Sequence, residues 1–162
     1  MASSRVVAHV APSLLGVSTG LRSFTPLAVA AWFARTGKLP LEGTWASWLA
    51  HPAAVGTLTA AAVGEYVGDK LPGTPARTAP VPLVGRIILG GLVGAVVATA
   101  FKRKVAGGVA LGTLGALVGS YGGFYARKGL TAGTGLPDLP VAITGDSAAV
   151  ALAVRSLRRL TA

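Results

Sequence analysis

Five ionisable side chains stand in or beside apolar stretches of this sequence, where a charge is costly. Arg22, Glu65, Arg86 and Asp146 fall within apolar segments, and Asp69 lies four residues after Glu65, on the same face of a helix. An ionisable group at the centre of a bilayer costs roughly 2.5–3.5 kcal/mol and is usually functional or paired with another charge. The pattern predicts a polar site for a proton, an ion or an anionic head group, or else a structural cluster of salt bridges.

The composition favours lipid around most of the chain. Its 162 residues are 52% hydrophobic and only 12% charged, whereas a soluble domain has about 25% charged residues. The net charge of +10 is carried mostly at the ends of apolar segments, where cations anchor helices to anionic head groups. We therefore expect membrane lipids as partners and no nucleic acid.

Several kinds of chemistry have no sequence support. The chain has no cysteine and only two histidines, His9 and His51, which are far apart. Neither a nucleophile elbow nor a phosphate-binding loop with its lysine is present. Two carboxylates four residues apart are a weak signal for a metal. We expect no metal, no cofactor and no enzymatic activity.

Five apolar segments predict an all-α, polytopic membrane bundle within a single domain of residues 1–162. The segments cover about residues 6–34, 52–68, 83–101, 105–126 and 139–154. The first is longer than a bilayer core of about 30 Å requires. It should break near Arg22–Pro26, because Pro26 cannot donate a helical hydrogen bond. A short helix at the membrane surface is expected near Trp45–Trp48.

The order of these segments also suggests a topology. The sequence around Gly56–Tyr66 resembles that around Gly112–Tyr121, so two helix pairs could form an internal repeat. Five spans would place the termini on opposite sides of the membrane. Lysine and arginine are somewhat more numerous on the C-terminal side, which predicts that the C-terminus is cytoplasmic.

A stripe of glycines predicts close helix packing in the fourth segment. These glycines are spaced by four, three, four and four residues, which places them on one helical face. Small residues let two helix backbones approach closely in lipid. We expect this face to form the interface of a homo-oligomer. The residues are Gly108, Gly112, Gly115, Gly119 and Gly123.

In the five-span arrangement, most ionisable residues near the spans converge on one leaflet. The expected function is a small transporter or channel for an anionic or proton-coupled solute or a lipid head group. Flanking cations would attract the anion, while Glu65 and Asp146 would titrate. The alternative is a non-transporting membrane subunit that binds a partner or lipid through its glycine faces. The candidate binding residues are Arg22, Glu65, Asp69, Lys70, Arg77, Arg86, Arg127, Asp138 and Asp146.

Four stretches together resemble a known family. They are Arg22–Ala28, Gly64–Pro72 with Pro75 and Arg77, Tyr125–Arg127, and Leu136–Pro140 with Asp146. In combination they are similar to the bacterial integral-membrane family called domain of unknown function four-one-two-six. The resemblance implies a small helical protein of the bacterial cytoplasmic membrane, and it implies no activity. Gly145 departs from the family pattern, which has an acidic residue before Asp146, and this argues against paired carboxylates there.

Overall fold

The computed structural model describes residues 2–69, 78–134 and 138–161, and these form helices joined by turns. No strand occurs in the described ranges, so the all-α class is confirmed. The described residues form six α-helices and one short 3₁₀ helix. They are α1 (Ala2–Leu21), α2 (Thr25–Arg35), the 3₁₀ helix (Ser47–Ala50), α3 (Pro52–Gly68), α4 (Pro80–Ala100), α5 (Val105–Thr134) and α6 (Asp138–Thr161).

Prolines define where several of these helices start. Pro26, Pro52 and Pro80 each lie in the first turn of a helix, where a residue without an N–H group removes no intrahelical bond. The predicted break between Arg22 and Pro26 is present, since Arg22, Ser23 and Phe24 lie between α1 and α2. The short helix expected near the two tryptophans is the 3₁₀ helix Ser47–Ala50.

The packing of the glycines gives the relative directions of three helices. Gly16 contacts Gly112 and Gly20 contacts Ala116, so α1 and α5 run parallel. By contrast, α4 and α5 are antiparallel, since contacts pair Gly90 with Gly112 and Gly94 with Gly108. Consequently α4 runs opposite to α1.

The break at Arg22 reverses the chain. At the start of α2, Ser23 accepts a hydrogen bond from Arg86, near the start of α4. At the end of α2, Ala34 lines a cavity together with Ala100, at the end of α4. Therefore α2 runs parallel to α4 and antiparallel to α1. The expectation that residues 6–34 form one broken span is wrong, because the three non-helical residues form a turn between two opposed helices.

Helices α3 and α6 are also antiparallel to helices that they contact. Hydrogen bonds pair Thr25 with Tyr66 and Trp32 with Thr59, so α3 is antiparallel to α2. The side chain of Ser18 donates to Ala149, and Arg22 pairs with Asp146, so α6 is antiparallel to α1. The start of α1 and the end of α6 thus lie at the same end of the bundle, which we call the basal end. In this arrangement both termini lie at one end of the bundle, whereas the five-span prediction places them on opposite sides of a membrane.

Two of the helices, α4 and α5, are long and apolar enough to cross a membrane. The apolar core lies between α1, α2, α4 and α6 and includes Leu15, Leu27, Val93, Val96 and Leu157. The core lies on the basal side of the turn at Arg22. The turn itself lies toward the opposite end of the bundle, which we call the distal end.

The glycine stripe on α5 packs within the chain. Gly108 and Gly112 lie against α4, and Gly115 and Gly119 lie against α1. A Cβ atom at any of these four positions would overlap backbone atoms of the facing helix. The close packing that the stripe predicts is therefore intramolecular, and Gly123 is only partly buried. A homo-oligomer remains a prediction, but one that needs a different surface.

Candidate functional site

Arg22, directly after α1, is held by side chains from two other helices. Its side chain is 1% exposed and forms salt bridges with Asp69, after α3, and Asp146, in α6. The Nε atom also donates to Oδ1 of Asp146 at 2.7 Å. The guanidinium lies 4.8 Å from the ring centroid of Tyr66, within range of a cation–π interaction. Arg22 thereby joins the turn between α1 and α2 to α3 and α6.

Glu65 binds the backbone of the same turn. Its carboxylate accepts hydrogen bonds from the N–H groups of Ser23 at 2.8 Å and Phe24 at 3.1 Å. The first N–H groups of a helix have no intrahelical acceptor, and the helix dipole favours negative charge there. The start of α2 is thus an anion-binding position, and the protein's own carboxylate occupies it.

Arg86, in the second turn of α4, lies beside this carboxylate and is 4% exposed. Its Nε atom donates to Oγ of Ser23 at 3.1 Å, and Nη2 makes a long contact of 3.4 Å with Glu65. Its Nη1 atom is buried and has no hydrogen-bond partner within the described part of the chain. An unsatisfied buried donor costs about 1–3 kcal/mol, and more when charged. Nη1 is therefore a polar group suited to a small anion or a water molecule.

The structure thus brings together five of the nine candidate residues, which we call the charged cluster: Arg22, Glu65, Asp69, Arg86 and Asp146. Arg127 is partly buried further along α5. Lys70, Arg77 and the side chain of Asp138 lie outside the part of the chain that the structure describes. The roles assigned to all nine residues remain predictions.

Sequence reasoning missed three participants in the charged cluster: Ser23, Phe24 and Tyr66. Ser23 and Phe24 contribute backbone N–H groups, whose availability follows only from the helix break. A predicted break does imply unpaired N–H groups at the start of the next helix. These N–H groups need a hydrogen-bond acceptor, and the carboxylate of Glu65 is a candidate for it. Tyr66 follows Glu65 directly and contacts Arg22 and Thr25.

The charged cluster lies deep in the bundle when measured from the basal end. Gly20, two residues before Arg22, packs against Ser120 of α5. Ser120 is about 22 Å along α5 from Val105, at 1.5 Å per residue. The charged cluster therefore lies far from the basal end of α5.

Fold and site together define a class of protein: a small all-helical bundle with ion pairs buried around a chain reversal. The sequence matches the family described as Domain of unknown function (DUF4126) over residues 11–158. The chain belongs to this family, as its motifs predict. Neither the curated proteins nor the solved structures contain a match to it.

Proposed function

We propose that the protein is a multi-pass protein of the bacterial cytoplasmic membrane. Large apolar side chains on three helices are more than half exposed, among them Val67 on α3, Ile88 on α4 and Val118 on α5. Such surfaces are typical of contact with lipid. Trp45 and Trp48 are exposed near the basal end, where aromatic side chains suit the membrane–water interface. In this proposal all six α-helices lie in the membrane, with α1 and α2 forming a hairpin whose turn lies at the charged cluster.

The chain reversal strengthens the case for one orientation. Because the chain reverses, Arg5 lies at the basal end. The cations that the five-span arrangement places on the C-terminal side lie at the same end. Cations concentrate on cytoplasmic connections, so the basal end and both termini are cytoplasmic in this proposal. The nine basal cations are Arg5, Arg35, Lys38, Lys102, Arg103, Lys104, Arg155, Arg158 and Arg159.

We further propose that the charged cluster transports a small monovalent anion together with a proton. The observation that carries this proposal is that Arg86 Nη1, buried and without a hydrogen-bond partner among the described residues, lies beside an anion position occupied by Glu65. Protonation of Glu65 weakens its hold on the N–H groups of Ser23 and Phe24. A free anion then takes those donors and the Arg86 guanidinium. Departure of the proton returns the Glu65 carboxylate to its position and expels the anion.

The charged cluster divides into two parts with different tasks in this mechanism. Arg22 already has two carboxylate partners, so it holds the helices in position and does not bind the anion. The transported ion contacts only the N–H groups at the start of α2 and the Arg86 side chain. A site of so few donors favours a compact ion such as chloride or nitrate.

An anion-flux assay tests this function. Liposomes containing the purified protein and a pH-sensitive dye should acidify inside when chloride is added outside. We expect Arg86→Gln to slow acidification by roughly tenfold or more, because a hydrogen bond to a charged group contributes about 1.5–3 kcal/mol. We expect Glu65→Gln to abolish proton coupling, because an amide side chain cannot bind and release a proton as a carboxylate does.

The matched controls are Arg35→Gln and Glu42→Gln, which remove exposed charges away from the charged cluster. Both should transport at the wild-type rate. Folded yield, measured by size-exclusion chromatography, must be equal across the four variants. Wild-type liposomes that never acidify, or cluster variants as active as the controls, would contradict the proposal.

The second candidate function is a non-transporting membrane subunit. Its support is the way Arg22 ties the α1–α2 turn to α3 and α6, which a purely structural role would also require. In that case the Arg86 and Glu65 variants should lose folded protein, and no anion gradient should move protons through the wild type.

A further inference from the structure

A second polar site lies at the basal end, away from the charged cluster. A cavity of about 450 Å³ opens there between α1 and the turn that joins α4 to α5. Lys102, Arg103 and Lys104 are among the residues that line it. Pro12, Ala98 and Leu111 form an apolar wall. The site thus combines three cations with an apolar surface in a concave space of ligand-binding size.

The charged residues that line this cavity favour a negatively charged ligand. None of the described residues that line it is acidic. The three cations also precede the start of α5, where helix N–H groups and the helix dipole favour an anion. Gly107 in the first turn of α5 has open space around its Cβ position, so an anion can approach the backbone closely. The cations, the helix start and the glycine all favour one negatively charged group.

The apolar wall and the location specify the occupant further. The three cations end α4 and precede α5, the two helices long and apolar enough to cross a membrane. They are therefore at the height of lipid head groups. A free inorganic anion gains nothing from a wall of Pro12, Ala98 and Leu111, whereas the glycerol backbone and first acyl carbons of a lipid would pack there.

We propose that this cavity binds the phosphate of an anionic phospholipid in the cytoplasmic leaflet. The phosphate lies among Lys102, Arg103, Lys104 and the start of α5, and the acyl chains extend along α1 and α5. This site is separate from the anion pathway and shares with it only the residence of the protein in a membrane.

Native mass spectrometry of the detergent-purified full-length protein, titrated with phosphatidylglycerol, tests the proposal. Replacing Lys102, Arg103 and Lys104 together with glutamine should weaken binding roughly a hundredfold, because each cation near the lipid contributes about 1 kcal/mol. Gly107→Leu should also weaken binding strongly while leaving every charge in place. The matched control replaces Arg155, Arg158 and Arg159, three exposed cations near the same end but outside the cavity, and should bind like the wild type.

Three results would overturn the proposal. An equal loss of lipid binding in the two triple variants would mean that binding depends on net charge and does not require the cavity. Phosphatidylcholine that binds as tightly as phosphatidylglycerol would exclude charge selection. Inorganic phosphate that displaces the lipid at millimolar concentration would identify a free-phosphate site. Since binding is measured without transport, these outcomes are independent of whether anions move through the charged cluster.

Discussion

Replacing Arg22 with glutamine should prevent most of the protein from accumulating in a folded state. The substitution leaves the carboxylates of Asp69 and Asp146 without the guanidinium that neutralises them. Removing one partner of a buried ion pair costs about 3–5 kcal/mol, a large part of a typical stability of about 5–15 kcal/mol. Size-exclusion chromatography and thermal unfolding in detergent would measure the loss.

Two further variants show whether the loss comes from unbalanced charge. Arg35→Gln removes an exposed arginine in the last turn of α2 and should change stability little. Arg22→Met combined with Asp69→Asn and Asp146→Asn removes all three charges at similar volume, which is often close to neutral. This triple variant should recover much of the folded yield. Arg22→Gln that unfolds at the wild-type temperature would show that the salt bridges contribute nothing.

Gly112→Ala should strongly destabilise this protein, although it adds only one methyl group. Gly112 lies between two helices, with Gly16 of α1 on one side and Gly90 of α4 on the other. The new Cβ would overlap the carbonyl oxygen of Gly90, and a backbone atom cannot move aside as a side chain can. We expect a loss of about 3 kcal/mol or more, at the upper end of overpacking costs.

The control for this substitution lies on the same helix. A Cβ atom at Gly122 has nothing within 4 Å, so Gly122→Ala should leave stability unchanged or raise it slightly. Unfolding of the two variants in a detergent titration gives the comparison directly. If both variants unfold at the same detergent concentration, the close contact of α5 with α1 and α4 is absent from the folded protein.

The glycine stripe shows what a sequence pattern can predict and where it stops. Spacing alone indicated that five glycines face another backbone, and four of them do: Gly108, Gly112, Gly115 and Gly119. It could not indicate which backbone, because a small-residue face fits any helix of similar shape. The structure divides the stripe between α4 and α1, so an interface assigned to a second copy lies inside one chain.

The helix break shows a related limit. Arg22 and Pro26 predicted that a helix ends, but a missing hydrogen bond does not dictate the direction of the next helix. That direction depends on tertiary contacts: Glu65 binds the turn, and Leu27 on α2 packs in the core with Val93 on α4. The cost of buried charge nevertheless predicted that ionisable residues far apart in sequence would meet. It did so because charges in apolar surroundings require partners whatever the topology.

We propose that the chain reverses at Arg22 within a membrane, so that α1 begins and α6 ends at the same face. The most direct test is a fluorescent reporter that matures only in the cytoplasm, fused to either the N-terminus or the C-terminus in bacterial cells. We predict that both fusions fluoresce, with the protein in the membrane fraction. Fluorescence from only one of the two termini would contradict the reversal and require an odd number of spans.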